Sequence, residues 1–235
     1  MNVVSVMAHQ DDEMQCLGTL LKCRARGDTI SFVTVTDGAK GFVQQPKIEP
    51  ARAAAIRHEE MTALARRLDA AYINLREPDE FLYDSAKVRM ALIEAIRRTG
   101  AELIFTHFHE DYNLDHTTVC SLVRHCAMQS CLPVLPTESE PLKEHPAIFM
   151  VAPHGPVVFP ATHFVDVTAF EETKIALLGL HRSQEEAMQK AVGAGFERLC
   201  RRVDGYWGQQ VGCKYAEGFV PMRGRGAIKP CNVLP

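Results

Sequence analysis

Nowhere do the 235 residues approach the ~18 consecutive apolar positions that a membrane-spanning helix requires. The N-terminus lacks a basic segment followed by an apolar one, and acidic residues begin at Asp11, so no signal peptide is read there. Basic charge is not in excess. With 26 Lys and Arg against 29 Asp and Glu, the formal net charge is -3. That balance argues against nucleic acid or an anionic membrane surface as the main partner. The eight cysteines, at 16, 23, 120, 126, 131, 200, 213 and 231, include no CxxC pair, which argues against a zinc knuckle. Their irregular intervals in so long a chain predict free thiols in a reducing, cytoplasmic setting. GxSxG, GxxxxGK[ST] and GxGxxG are all missing, and with them the serine hydrolase, P-loop and dinucleotide-binding signatures. Arg223-Gly224-Arg225-Gly226 is too short to signal nucleic acid.

What remains is an ordinary globular composition, 46% hydrophobic and 23% charged. The length predicts one domain over residues 1–235, able to bury roughly 70% of its unfolded surface without staples. Periodicity predicts strands over 3–7, 30–36, 71–75 and 101–106, and helices over 12–26, 51–68, 85–98 and 117–128. This alternation predicts an α/β fold: a Rossmann-like, open, mostly parallel sheet with helices on both faces. Seven of the 13 prolines fall between Pro133 and Pro160. Apolar residues continue through that section, so it is read as a proline-rich C-terminal rim or lid, with short strands over 148–151 and 163–167. Two closing helices are expected over 169–180 and 183–203, then an irregular, glycine-rich tail from Gly205.

Two polar clusters carry the chemistry. Ala8-His9-Gln10-Asp11-Asp12-Glu13 lies where the first strand should end and the first helix begin. Open α/β sheets bind ligands outside the carboxyl ends of their strands. His9 and Asp12, three apart across the turn, can converge on one metal; imidazole plus carboxylate suits Zn2+, and also Fe2+ or Co2+. Asp11 should point elsewhere and could stand beside the metal as a base. Acidic residues also favour the first turn of a helix, which accounts for Asp11, Asp12 or Glu13 singly but not for His9. The second cluster, from Thr106 to His116, follows the fourth strand. In a doubly wound sheet strands one and four are neighbours at the switch point, so the two clusters would face one another. His116 can then supply a third ligand and leave a position open for water. His107 and His109 cannot both be assigned.

These residues resemble a family. His9-Gln10-Asp11-Asp12-Glu13 is similar to the AHPDDE signature of the LmbE/PIG-L family of zinc-dependent N-deacetylases, and Asn113-Leu114-Asp115-His116 to its HxDH motif. Thr36-Asp37-Gly38, Arg57-His58-Glu59-Glu60 and Tyr215-Ala216-Glu217 resemble its TDG, RxxE and YAE segments. The resemblance implies that His9, Asp12 and His116 are the zinc ligands, that Asp11 is the general base, and that Asp115 orients its neighbours. Two positions depart from the pattern. Gln10 replaces a proline, which is expected to change only the stiffness of the turn. Asn113 replaces a histidine thought to stabilise the transition state. Asn can donate a hydrogen bond to an oxyanion but cannot carry charge or pass a proton.

Arg57, Asp37 and His109 are the candidate substrate-binding residues. Arg57 could hold a substrate phosphate or hydroxyl, although an i,i+3 pairing with Glu60 is favoured. Asp37 could bind a sugar hydroxyl or make an Asx turn. Ser183 reads as a helix N-cap with Glu186 three residues on, and His154 as an ordinary loop histidine. The resulting expectation is hydrolysis of an N-acyl, mainly N-acetyl, amide on an amino sugar or glycoside such as an N-acetylglucosamine conjugate. Rival readings are an amidase on thiol conjugates or other small amides, and a non-catalytic sugar- or metal-binding relative. The oligomeric state, a homo-oligomer included, stays open.

Overall fold

The computed structural model describes residues 1–155, 157–223 and 234–235. Seven strands form one sheet: β1 (Asn2–Met7), β2 (Thr29–Thr36), β3 (Ala71–Glu77), β4 (Leu103–Thr106), β5 (Ala147–Val151), β6 (His163–Asp166) and β7 (Ala216–Pro221). Their order is β3-β2-β1-β4-β5-β7-β6. The first five pair in parallel, while β7 runs antiparallel to both β5 and β6. β1 and β4 are therefore hydrogen-bonded neighbours, as a doubly wound sheet requires.

The helices are α1 (Leu17–Ala25), α2 (Pro50–Arg67), α3 (Ala86–Arg98), α4 (Leu114–Gln129), α5 (Glu171–Leu178), α6 (Arg182–Val192) and α7 (Phe196–Val211). They divide between the two faces because side chains alternate along each strand. Val3 and Met7 pack with Leu20 of α1, Met61 of α2, Leu178 of α5 and Phe196 of α7. Val4 and Val6 pack on the other face with Leu92 of α3 and Val123 of α4. A strand buried on both faces reads as the continuous apolar run seen at β1 and β2.

Several expectations need correction. The helix foreseen over 12–26 is broken: residues Asp12–Gln15 form a 3-10 turn, and α1 starts only after Cys16. The helix foreseen over 117–128 begins three residues earlier, so Asp115 and His116 lie in its first turn. The helix foreseen over 183–203 is two, split where Gly193 takes φ 66°. The tail is not irregular from Gly205. α7 runs on to Val211, and β7 then enters the sheet. Gly208 permits this, because a Cβ there would lie 2.6 Å from the Lys214 carbonyl oxygen in the turn before β7. Ser183 does not cap α6; His181 holds that position, and the Ser183 backbone N–H and hydroxyl both donate to Glu60. That occupies Glu60, so the expected Arg57–Glu60 pair does not form.

Only part of the proline-rich section approaches the strand C-termini. Arg97, at the end of α3, donates to the carbonyls of Ser130, Leu132 and Leu135 and ties the section's first half to that helix end, before the chain enters β5 beside the start of β4. β5 then carries the chain across, and His154 follows. The seven described cysteines are free. Cys231, Pro156 and residues 224–226 of the Arg-Gly run lie outside the described residues. No described helix is long and apolar enough to cross a membrane.

A second buried cluster joins α5, α7 and β7 to the start of α1. Lys174, completely buried, donates to Asp204 at 2.5 Å and to Glu217 at 2.7 Å. Glu217 also accepts the backbone N–H groups of Gly18 and Thr19 at the start of α1. Both carboxylate oxygens of nearby Glu171 are buried without a hydrogen bond.

Candidate metal centre

β1 delivers the first cluster. Ala8 is held from both sides: its N–H donates to His107 Nε2 at 2.9 Å, and its carbonyl accepts the Thr36 hydroxyl at 2.8 Å. The next residue, His9, donates its backbone N–H to Asp12 Oδ2 at 2.7 Å, closing the turn. Gln10 does more than alter stiffness. It is fully buried, its side chain reaching Thr36 and Tyr72 and accepting from Arg57. Gly38, at φ 67°, stands where any Cβ would collide with Gln10 Oε1.

β4 and α4 deliver the second cluster. Asn113 is the N-cap of α4, its Oδ1 accepting from the backbone N–H of Asp115 at 2.8 Å and of His116 at 3.4 Å. Asparagine is among the preferred residues at that position. It is thus a structural cap, and only its Nδ2 is left over for an oxyanion.

His9, Asp12 and His116 converge. His9 Nδ1 is 3.2 Å from His116 Nε2 and 3.2 Å from Asp12 Oδ2, and His116 Nε2 is 3.4 Å from Asp12 Oδ1. Each imidazole is gripped from behind. His9 Nε2 faces Asp79 at 3.0 Å and Asp115 at 3.5 Å, and His116 Nδ1 faces Asp111 at 3.0 Å. Asp115 is fixed in turn by the backbone N–H groups of Glu80 and Leu82. Carboxylates on the far nitrogens set ring orientation and leave the near nitrogens free to bind.

The donor set fits a metal ion. Ligands bound tetrahedrally at about 2.0–2.1 Å stand roughly 3.3–3.4 Å apart, close to the spacings found. The electrostatics agree. Burial opposes a proton on His116, yet Asp12 and Asp111 outweigh it and lift its pKa to about 9. On His9 burial is likewise outweighed, by Asp115, Asp12 and Asp79, and its pKa rises well above normal. Burial would raise Asp12, but His116 and His107 hold it well below the usual carboxylate range. Carboxylates that hold protons on two imidazoles would hold a cation in their place. His107 behaves differently. Burial and then His116 push its pKa down to about 4, consistent with a neutral ring accepting from Ala8 while stacked on His116 at 4.0 Å.

Asp11 stands beside the triad. Its Oδ1 accepts from Arg57 Nη2 at 2.9 Å, and its pKa is raised by burial against the pull of Arg57. His9, Asp11, Asp12, His116 and Arg57 form the floor of one cleft of about 630 Å³, which residues of α6 and His154 also line.

The other sequence candidates fare unevenly. Arg57 is 2% exposed, pairs with Asp11 and the Gln10 carbonyl, and borders the cleft, with Nη1 buried and unpartnered. Asp37 makes the Asx turn: its Oδ1 accepts from the Ala39 N–H at 3.0 Å. His109 is exposed beside Glu110 and does not border the cleft. His154, read as an ordinary loop histidine, does border it, next to Gln15. Asp79 and Asp111 went unrecognised. Asp111 stands five residues before His116 in a visibly polar run, whereas nothing in Pro78-Asp79-Glu80 announces that Asp79 meets His9. Replacing Asp111 with Asn should weaken metal binding roughly 10- to 100-fold, read by competition with a chelator, since the His116 ring loses its charged support.

A family model described as PIG-L, GlcNAc-PI de-N-acetylase, matches residues 4–127, more than half the chain. That span holds both clusters. Among solved structures, the N,N'-diacetylchitobiose deacetylase of Pyrococcus horikoshii is 24% identical with a TM-score of 0.80, over 94% of this chain and 83% of that one. The conserved protein TT1542 of Thermus thermophilus is 27% identical with a TM-score of 0.79, over 98% and 99%. GalB of Pseudomonas putida, a 4-carboxy-2-hydroxymuconate hydratase, is 21% identical with a TM-score of 0.79, over 97% and 98%. A hydratase among them shows that this fold alone does not decide the reaction. Curated proteins offered no match.

Proposed function

Since the chain belongs to the PIG-L family, we propose that it is a zinc-dependent amidohydrolase that removes an acyl group, chiefly acetyl, from the nitrogen of an amino sugar or glycoside. The observation that carries this reading is the meeting of His9, Asp12 and His116 at 3.2–3.4 Å, with Asp11 beside them, on the floor of one cleft.

His9, Asp12 and His116 would hold the ion, and an ion there would act as a Lewis acid on the amide carbonyl and acidify water. Asp11 is the general base. Oδ1 is held by Arg57, while Oδ2 makes no hydrogen bond among the described residues and can take the proton of the attacking water. Its raised pKa suits the return of that proton to the leaving amine. Asn113 Nδ2 and the His154 ring are the neutral donors available to the oxyanion. Burial holds the His154 pKa low, so its ring is neutral at pH 7. Asp115 and Asp79 keep His9 aimed. Arg57 Nη1 is a spare buried donor for a substrate hydroxyl or phosphate.

The test is elemental analysis followed by a screen for free amine. Purified protein should carry one divalent ion per chain. Chelation should abolish amine release from N-acetylglucosamine conjugates, and added zinc should restore it. Protein without metal, and without activation by zinc, would overturn the proposal. Release from thiol conjugates or other simple amides, but not from sugars, would move the substrate class and leave the chemistry standing.

A further inference from the structure

Asp11 is the one residue of the first cluster in a left-handed backbone conformation, with φ 109° and ψ -19°. A residue with a Cβ persists there only where its surroundings hold it, and such positions gather at working sites. Arg57 fixes its side chain, and its carbonyl accepts the Met14 N–H at 3.0 Å. The Asp11 N–H is fixed separately, donating to Glu13 Oε2 at 2.9 Å. Glu13 is 1% exposed, and its other oxygen accepts from His181 Nε2 at 2.6 Å.

His181 comes from far along the chain, at the junction of α5 and α6. It is fully buried, and its remaining nitrogen, Nδ1, has no partner. Glu13 is therefore the one polar contact of this ring among the described residues. A buried imidazole satisfied at one nitrogen is a poor space-filler compared with an apolar side chain. Its backbone carbonyl, meanwhile, accepts the Glu185 N–H at 2.9 Å, so the same residue opens α6. Gln184, Ala187 and Met188 of that helix border the cleft.

We propose that His181 is a positioning residue for Asp11. By holding Glu13 Oε1 it sets Oε2 under the Asp11 N–H, and so fixes the backbone rotation that aims the Asp11 carboxylate at the metal triad. One buried bond thereby ties the cleft wall on α6 to the base on the cleft floor. The inference rests on the deacetylase reading for the role of Asp11, while the backbone linkage can be measured without activity.

Two variants separate positioning from simple packing. In His181→Gln the side-chain amide can stand where Nε2 stands and still donate to Glu13. In His181→Asn it stands near Nδ1 and falls short. Both should retain one metal per chain. His181→Asn should lower kcat roughly 10- to 100-fold with KM little changed, because a misaimed group costs rate more than binding. His181→Gln should recover most of that loss. With no substrate present, hydrogen exchange at the Asp11 amide should speed up about tenfold in His181→Asn and stay near wild type in His181→Gln. Equal kcat and equal exchange in the two variants would overturn the proposal, as would a rise in KM alone. If the wild type releases no amine from any conjugate, the deacetylase reading falls. The exchange comparison would then still decide the His181–Glu13–Asp11 linkage.

Discussion

Changing Asp11 to Asn should leave the metal in place and lower kcat by about 10²- to 10⁴-fold, the usual worth of a positioned general base. Asparagine isolates the proton-transfer role better than alanine would. It has nearly the same shape, it can keep an oxygen toward Arg57 Nη2, and it is among the few residues that tolerate a positive φ. Metal content should not change, because the donor spacings involve His9, Asp12 and His116 and not Asp11. The measurement is kcat of the zinc-loaded variant beside its metal stoichiometry. Full activity with metal retained would remove Asp11 from the base role.

The second large effect is on stability. Lys174→Met should cost about 3–5 kcal/mol, because removing one partner of a buried ion pair strands the other charges. Here Asp204 and Glu217 lose the one cation that pairs with them among the described residues, with Glu171 close by. For a chain of this size the loss corresponds to a fall in Tm on the order of 10 °C. The pH dependence follows from the directions of the shifts. Burial opposes charge on Lys174, but Asp204 and Glu217 outweigh it, and its folded pKa is raised. Its contribution is thus complete at and below neutral pH and fades only in strong alkali. Burial already raises the pKa of Asp204 against the pull of Lys174, and without the lysine it must rise further. A carboxylate whose folded pKa is raised destabilises the fold at higher pH and is relieved as pH falls through that value. The Tm gap between variant and wild type should therefore be wide at pH 8 and narrow toward pH 5. A gap independent of pH would mean that the loss comes from packing and not from stranded charge.

The parallel part of the sheet was legible because each βα unit carries its own periodicity. The convergence of His9, Asp12 and His116 was legible because strands one and four adjoin in a doubly wound order, which brings the two polar clusters to one crevice. What escaped depends on partners from elsewhere in the chain. Arg57 has a glutamate three residues on, which reads as a helix pair, yet Glu60 is claimed by Ser183 and Arg57 turns to Asp11. Asp79 gains its role only because β3 ends near β1 through β2. Asn113 looks like a substitution in a catalytic motif, whereas capping explains its oxygen once α4 is seen to begin at Leu114. The glycines after Gly205 suggested irregular chain, though Gly208 is what lets the turn before β7 pack against α7.

The position of β7 bears on how the chain is made. It is the last described strand in sequence, yet it sits inside the sheet between β5 and β6, and β6 has no other strand partner among the described residues. Until β7 is made, β5 presents a bare edge and β6 has no strand among the described residues to pair with. Such edges invite pairing with other chains. A chain halted before residue 216 would thus leave the sheet open at β5, a species suited to chaperone capture.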